Sequence, residues 1–175
     1  MHAQQKGLMR EFRRNSQGKE NAVKCELAGE ILRRFGSLRL QVKGHSMLPS
    51  VWPGDVLLIK RCHFSQISSG DIVLYAREGR FFAHRVIGAS VDLVEPRLVT
   101  QGDALPSEDC PISPVEFLGK VSQIVRAGEC SEPASVLAFK EGLVASAARY
   151  STIFARLLVH LRMTRRNSGK RETPC

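Results

Sequence analysis

The sequence predicts a mainly β protein, a curled or partly closed antiparallel sheet with a helix on either flank. Three observations carry this. Between residues 38 and 126 apolar side chains come in short runs, several alternating with polar ones, and the runs are separated by turn formers such as Pro53-Gly54-Asp55 and Ser69-Gly70-Asp71. Helical spacing is confined to 22–36 and 133–163. At 175 residues, 43% hydrophobic and 25% charged, the chain suits one folded domain with a real core, and with only 6% aromatic residues that core must be mostly aliphatic.

Residues 1–21 are polar, basic and aperiodic, which predicts a flexible tail. In 22–36, Val23, Leu27, Ile31 and Phe35 recur at helical spacing, Glu26 and Glu30 precede Arg33 and Arg34, and Gly36 suits the C-terminal end. From Leu38 the period becomes two: Leu38, Leu40 and Val42 alternate with Arg39, Gln41 and Lys43, a half-buried strand. It leads into Gly44-His45-Ser46-Met47-Leu48-Pro49, where permissive dihedrals at Gly44 and restricted ones at Pro49 set the backbone on either side of Ser46. Val56–Lys60 and Ile72–Tyr75 are the next strands. Arg77-Glu78-Gly79-Arg80 reads as a hairpin turn into a strand at Phe81–Gly88. Val91–Glu95 and Arg97–Gln101 are short strands broken near Pro96, Gly102–Pro114 is a polar loop, and Phe117–Arg126 is the last strand. In 133–163, Leu143, Ala147, Tyr150, Phe154, Leu157, Leu158 and Leu161 share one face, with Arg149, Thr152, Arg156 and His160 on the other. That describes a basic amphipathic helix, followed by a basic tail at 164–175.

The net charge of +9 is unevenly spread. Lys/Arg against Asp/Glu number eight and four in 1–36, ten and eleven in 37–133, and eight and two in 134–175. A near-neutral centre argues against a nucleic-acid surface on the core and for an anionic partner met by the ends. An anionic membrane surface, reached through 133–163, is the candidate partner of that kind, and a packed helix with a solvated basic face is the plainer alternative. The five cysteines, Cys25, Cys62, Cys110, Cys130 and Cys175, are odd in number and form no C-x-x-C pair, so neither disulfides nor a metal site nor any other cofactor is expected. The first twenty residues lack the apolar core of a secretory signal, and no run reaches the length of a membrane span, so the cytoplasm is the expected location.

Ser46 is held on a stiff loop, as a nucleophile would be, and a serine nucleophile needs a base and a group to orient that base. Of five histidines, His84 stands inside a strand, sharing a face with Phe82 and Val86. A shielded histidine there suits a general base, and it equally suits a purely structural role. Asp103 and Asp109 are the acids on the long loop that could reach it; each also reads as an ordinary loop residue.

The ordered set Gly44-x-Ser46-Met47-x-Pro49, Pro53-Gly54-Asp55, Gly70-Asp71-Ile72-Val73, His84-Arg85-Val86-Ile87, Gly102-Asp103 and Gly119-Lys120-Val121 resembles the type I signal peptidase family over about residues 38–126. His84 before Arg-Val is similar to the endoplasmic-reticulum and archaeal branch, in which a histidine replaces the lysine base of the main bacterial branch and of LexA-type repressors. The resemblance implies a signal peptidase/LexA-like β fold with 22–132 as the catalytic domain. It implies Ser46 as nucleophile, His84 as general base, Asp109 as the acid six residues beyond Asp103, and Asp103 as supporting or alternative acid. It also implies a preference for small residues before the cut. The backbone around Ser46 and Met47 is the expected oxyanion site. The strand before Ser46 and the strand of His84 would hold a protein or peptide substrate as an extended strand. Two other readings compete: a peptide-binding module on the same fold that does not cut, and a LexA-like self-cleaving regulator. The second is disfavoured because 36 residues before the core leave little room for a helix-turn-helix domain and linker.

Overall fold

A computed structural model describes residues 2–91 and 95–135, with side chains from 18 to 90 and from 95 to 135. Among the described residues one α-helix is followed by seven strands: α1 His2–Phe35, β1 Ser37–Gln41, β2 Val56–Lys60, β3 Ile72–Arg77, β4 Arg80–Val91, β5 Pro96–Gln101, β6 Phe117–Arg126 and β7 Glu129–Ser131. All pairings are antiparallel, in the order β1-β2-β6-β3-β4-β5, with β7 added to β6. β1 and β5 stand at the two ends of the order and do not pair with each other, so among the described residues the sheet is open.

Strand β3 sits at the centre because Ile72-Val73-Leu74-Tyr75 is apolar without interruption, and all four residues are buried. Alternation sends Ile72 and Leu74 to one face, where they pack with Met47, Val51, Leu57, Ile59, Val121 and Leu32 of α1. Val73 and Tyr75 go to the other, with Val86, Leu98 and Ile112. The β3–β4 hairpin turns through Glu78 and Gly79, both with positive φ (52° and 71°), the pattern of a two-residue turn matched to strand twist. β4 is long enough for two partners. Residues 80–85 pair with β3, and 85–91 pair with β5.

Helix α1 departs from expectation twice. It begins at His2, so most of the stretch read as a flexible tail is helical. That stretch has no proline and is rich in Gln, Lys, Arg and Glu, which favour helix without any apolar periodicity. The second departure concerns the side chains. Val23, Leu27 and Phe35, expected on the buried face, are 62%, 58% and 73% exposed. Ala28, Gly29 and Leu32 are buried instead. The small pair Ala28-Gly29 lets the helix approach β6 closely, where Leu118 lies beside Gly29. The helix ends as expected at Gly36 (φ 71°), whose N–H donates to the Leu32 carbonyl at 3.0 Å.

The other strands through β6 follow the expected runs within a few residues, with Pro96 opening β5 on an outer strand where its missing N–H costs nothing. β6 is not the last strand as expected, because Ala127 and Gly128, both with positive φ, turn the chain back into the short β7. The expected strand at 91–95 is partly absorbed: Val91 ends β4, and 92–94 lie outside the described residues. Of the expected helix at 133–163, residues 133–135 are irregular and the rest, with 164–175, lies outside the described residues.

Candidate active site

Ser46 lies in a tight turn between β1 and β2, where the Leu48 N–H donates to the His45 carbonyl and the Val51 N–H to that of Met47. Met47, Leu48 and Val51 are buried, so the turn is anchored from beneath while Ser46 stays half-exposed. The loop after β5 holds it from the side: the Ala104 N–H donates to the Ser46 carbonyl at 2.8 Å. Gly102 is required there, because a Cβ would stand 2.6 Å from that carbonyl oxygen and 2.9 Å from the Leu105 side chain. Among the described residues, neither the Ser46 nor the Met47 N–H donates to any acceptor. Two free donors beside a half-exposed hydroxyl suit a developing oxyanion.

His84 comes from β4, opposite Val73 of β3, and is 3% exposed. Its ring meets Tyr75 and Phe82 edge-on, with centroids 6.1 Å and 6.0 Å away. Its Nε2 stands 2.9 Å from Ser46 Oγ and its Nδ1 2.7 Å from Asp109 Oδ2. With the proton assigned to Nδ1, the carboxylate accepts from Nδ1–H and the serine hydroxyl donates to Nε2.

Asp109 reaches His84 because its loop folds back on β5. The Asp109 N–H donates to the Thr100 carbonyl, and Thr100 Oγ1 donates to Asp109 Oδ2, both at 2.8 Å. The Tyr75 phenol, beside the His84 ring, also favours the charged form of this carboxylate. Burial would raise the Asp109 carboxyl, but the hydrogen bonds from His84 and Thr100 outweigh it and hold the group below the usual aspartate range. Burial pushes the Tyr75 phenol up to about 12, so it is a donor at neutral pH. Arg77 secures the loop just beyond: it bonds the Cys110 and Pro111 carbonyls and pairs with Glu116.

Asp103 is placed differently. It is 3% exposed and takes a bidentate pair from Arg85 at 2.8 Å through both oxygens, plus the Ser50 hydroxyl at 2.5 Å. Arg85 also donates to the carbonyls of Gly70 and Ala134 and to Ser50. This buried ion pair ties the serine turn, β4 and the loop after β5 together. Asp55 supplies a second tie, pairing with Arg126 at 2.7 Å and accepting from the Trp52 N–H.

A cleft of about 720 Å³ runs up to Ser46 and His84 between 40–44 and 80–84. β1 pairs only with β2, and 80–84 pair only with β3, so among the described residues both strands present a free edge to this cleft. Its floor includes Leu40, Val42, Met47 and Phe81.

Ser46, His84 and Asp109 are therefore in one hydrogen-bonded line, while Asp103 is engaged with Arg85 and Ser50. Met47, itself buried, is among the residues lining the cleft. The sequence reading gave no role to Arg85, Ser50, Thr100, Tyr75 or Arg77. Arg85 was marked only by its place between His84 and Val86 in the quoted motif, and Thr100 only by opening the Thr100-Gln101-Gly102-Asp103 stretch that resembles the family's; Ser50, Tyr75 and Arg77 carried no signal. Among the described residues no cluster of His, Cys, Asp and Glu has the arrangement to hold a metal ion. No curated protein matches the chain closely enough to count as a relative. A family model described as Peptidase S24-like matches residues 13–122, nearly all the strands and every residue of the serine–histidine–aspartate line, so the chain belongs to the Peptidase S24-like family, within the LexA/signal peptidase superfamily.

Proposed function

We propose that the chain is a serine endopeptidase of signal-peptidase type that cuts a protein or peptide precursor with Ser46, His84 and Asp109. The observation that carries this is the unbroken line from Ser46 Oγ through both nitrogens of His84 to Asp109, at 2.9 Å and 2.7 Å. Ser46 Oγ attacks the scissile carbonyl as its proton passes to His84 Nε2. The charge that develops on the carbonyl oxygen is met by the Ser46 and Met47 N–H groups. His84, held in the right tautomer by Asp109, then gives the proton to the departing amine, and water releases the acyl group by the same route. An imidazole base at this position distinguishes the reading from a lysine-based self-cleaving regulator. The free edges of β1 and of residues 80–84 favour a substrate bound as an extended strand.

Comparison of protein N-termini in cells making the wild-type chain or Ser46→Ala tests the reading. A set of N-termini that appears only with the wild-type chain supports it. Identical sets, with both proteins made at equal level, contradict it.

A further inference from the structure

The cleft is apolar along its floor and cationic along its rim. Lys43, three residues before Ser46, and Arg80, four residues before His84, both line it and are exposed. Among the described residues neither has a carboxylate partner, and no Asp or Glu lines the cleft. Lys24 also reaches the cleft, but its ammonium is taken by Glu20 at 2.6 Å. Glu78 lies on the hairpin turn, outside the lining. Two unanswered cations beside an apolar trough complement an acidic partner.

We infer that the preferred substrate, on the peptidase reading above, is a segment with apolar or small residues at the cut and Asp or Glu three to four residues away from it. The spacing follows from the strands. Each residue of an extended chain advances about 3.3 Å, so Arg80 stands about 13 Å along β4 from His84, while Lys43, in the non-strand stretch between β1 and the serine turn, is three residues and at most about 10 Å from Ser46. A peptide lying between these edges is itself extended, and its third and fourth residues from the scissile bond come level with the two cations.

The test is protection of Ser46 from a fluorophosphonate by capped decapeptides built of Ala and Leu. They carry either Glu or Lys at the third and fourth positions on both sides of a central Leu-Ala bond. The Glu peptide is expected to halve the labelling rate at about a tenfold lower concentration than the Lys peptide, the preference expected from two exposed charge contacts. Salt at about 0.5 M should remove most of that difference, and the double variant Lys43→Glu/Arg80→Glu should reverse it. Circular dichroism of that variant establishes that it folds. Equal protection by both peptides, protection by neither, or an unchanged preference in the folded double variant overturns the inference. These results leave the peptidase reading standing as long as the wild-type chain is labelled at Ser46; a chain that is not labelled at all contradicts that reading instead.

Discussion

At the scale of single residues, the two acids have separable jobs. Asp109 accepts from His84 and Thr100, whereas Asp103 is locked to Arg85 and Ser50. Asp109→Asn should lower the rate of Ser46 acylation on the order of 10⁴-fold, because the amide favours the wrong tautomer of His84, with little change in the urea midpoint. Asp103→Asn should do the reverse in emphasis: breaking a buried pair leaves Arg85 uncompensated, a cost of about 3–5 kcal/mol seen in equilibrium unfolding. Thr100→Val removes one hydrogen bond from a part-buried carboxylate that keeps its bond to His84, so a loss of about 1 kcal/mol in stability and a slower acylation are expected. The sequence made Ser46 and His84 legible, with Asp103 and Asp109 as the candidate acids, because a motif fixes their order and spacing. It left the choice between Asp103 and Asp109 open, because both lie on one loop and only the fold-back of that loop onto Thr100 brings one of them to the imidazole.

Among the elements, the loop between β5 and β6 matters most, since it carries the acid and braces the serine turn. Its outer end is clasped by Arg77 and Glu116, and the Arg77 guanidinium holds the Glu116 carboxyl down to about 2 from its ordinary 4.5. A carboxyl lowered on folding stabilises the native state fully above its unfolded value and loses that contribution as pH falls through the folded one. Stability should therefore decline between about pH 4.5 and about pH 2, and Glu116→Gln should flatten that part of a urea-midpoint profile against pH. Asp109, also lowered, contributes with the same sign. At the inner end, Gly102→Ala would drive a methyl into the Ser46 carbonyl, displacing the turn. Slower acylation and a lower melting temperature are the expected readouts. The strands were readable because alternation and turn residues are local signals. The face of α1 was not: its i, i+4 apolar row was plain, but the fold uses the Ala28-Gly29 face, where close approach to β6 outweighs the larger side chains.

Over the whole molecule, the sheet brings residues 38, 63 and 25 positions apart in the chain to bear on two neighbouring free edges, with Ser46 on the β1 side and His84 on β4. Asp109, 63 residues from Ser46, completes the line from a third element. Two ion pairs, Arg85 with Asp103 in the interior and Arg126 with Asp55 part-buried, fix how these elements meet. Neither pair was foreseeable from sequence, since each joins residues far apart and nothing local marks the partner. The near-neutral centre and basic flanks were plain from composition, yet the cationic rim of the cleft arises inside that neutral centre, from where Lys43 and Arg80 fall rather than from any excess of charge. Among the described residues no helix is long and apolar enough to cross a membrane.

The most direct test of the central claim is the rate at which a fluorophosphonate acylates the chain, with the modified residue located by peptide mass. The account predicts one adduct, on Ser46, formed quickly in the wild-type chain and lost in a folded His84→Ala variant. Equal labelling of Ser46 in that variant, or no labelling of Ser46 in the wild-type chain, would contradict it.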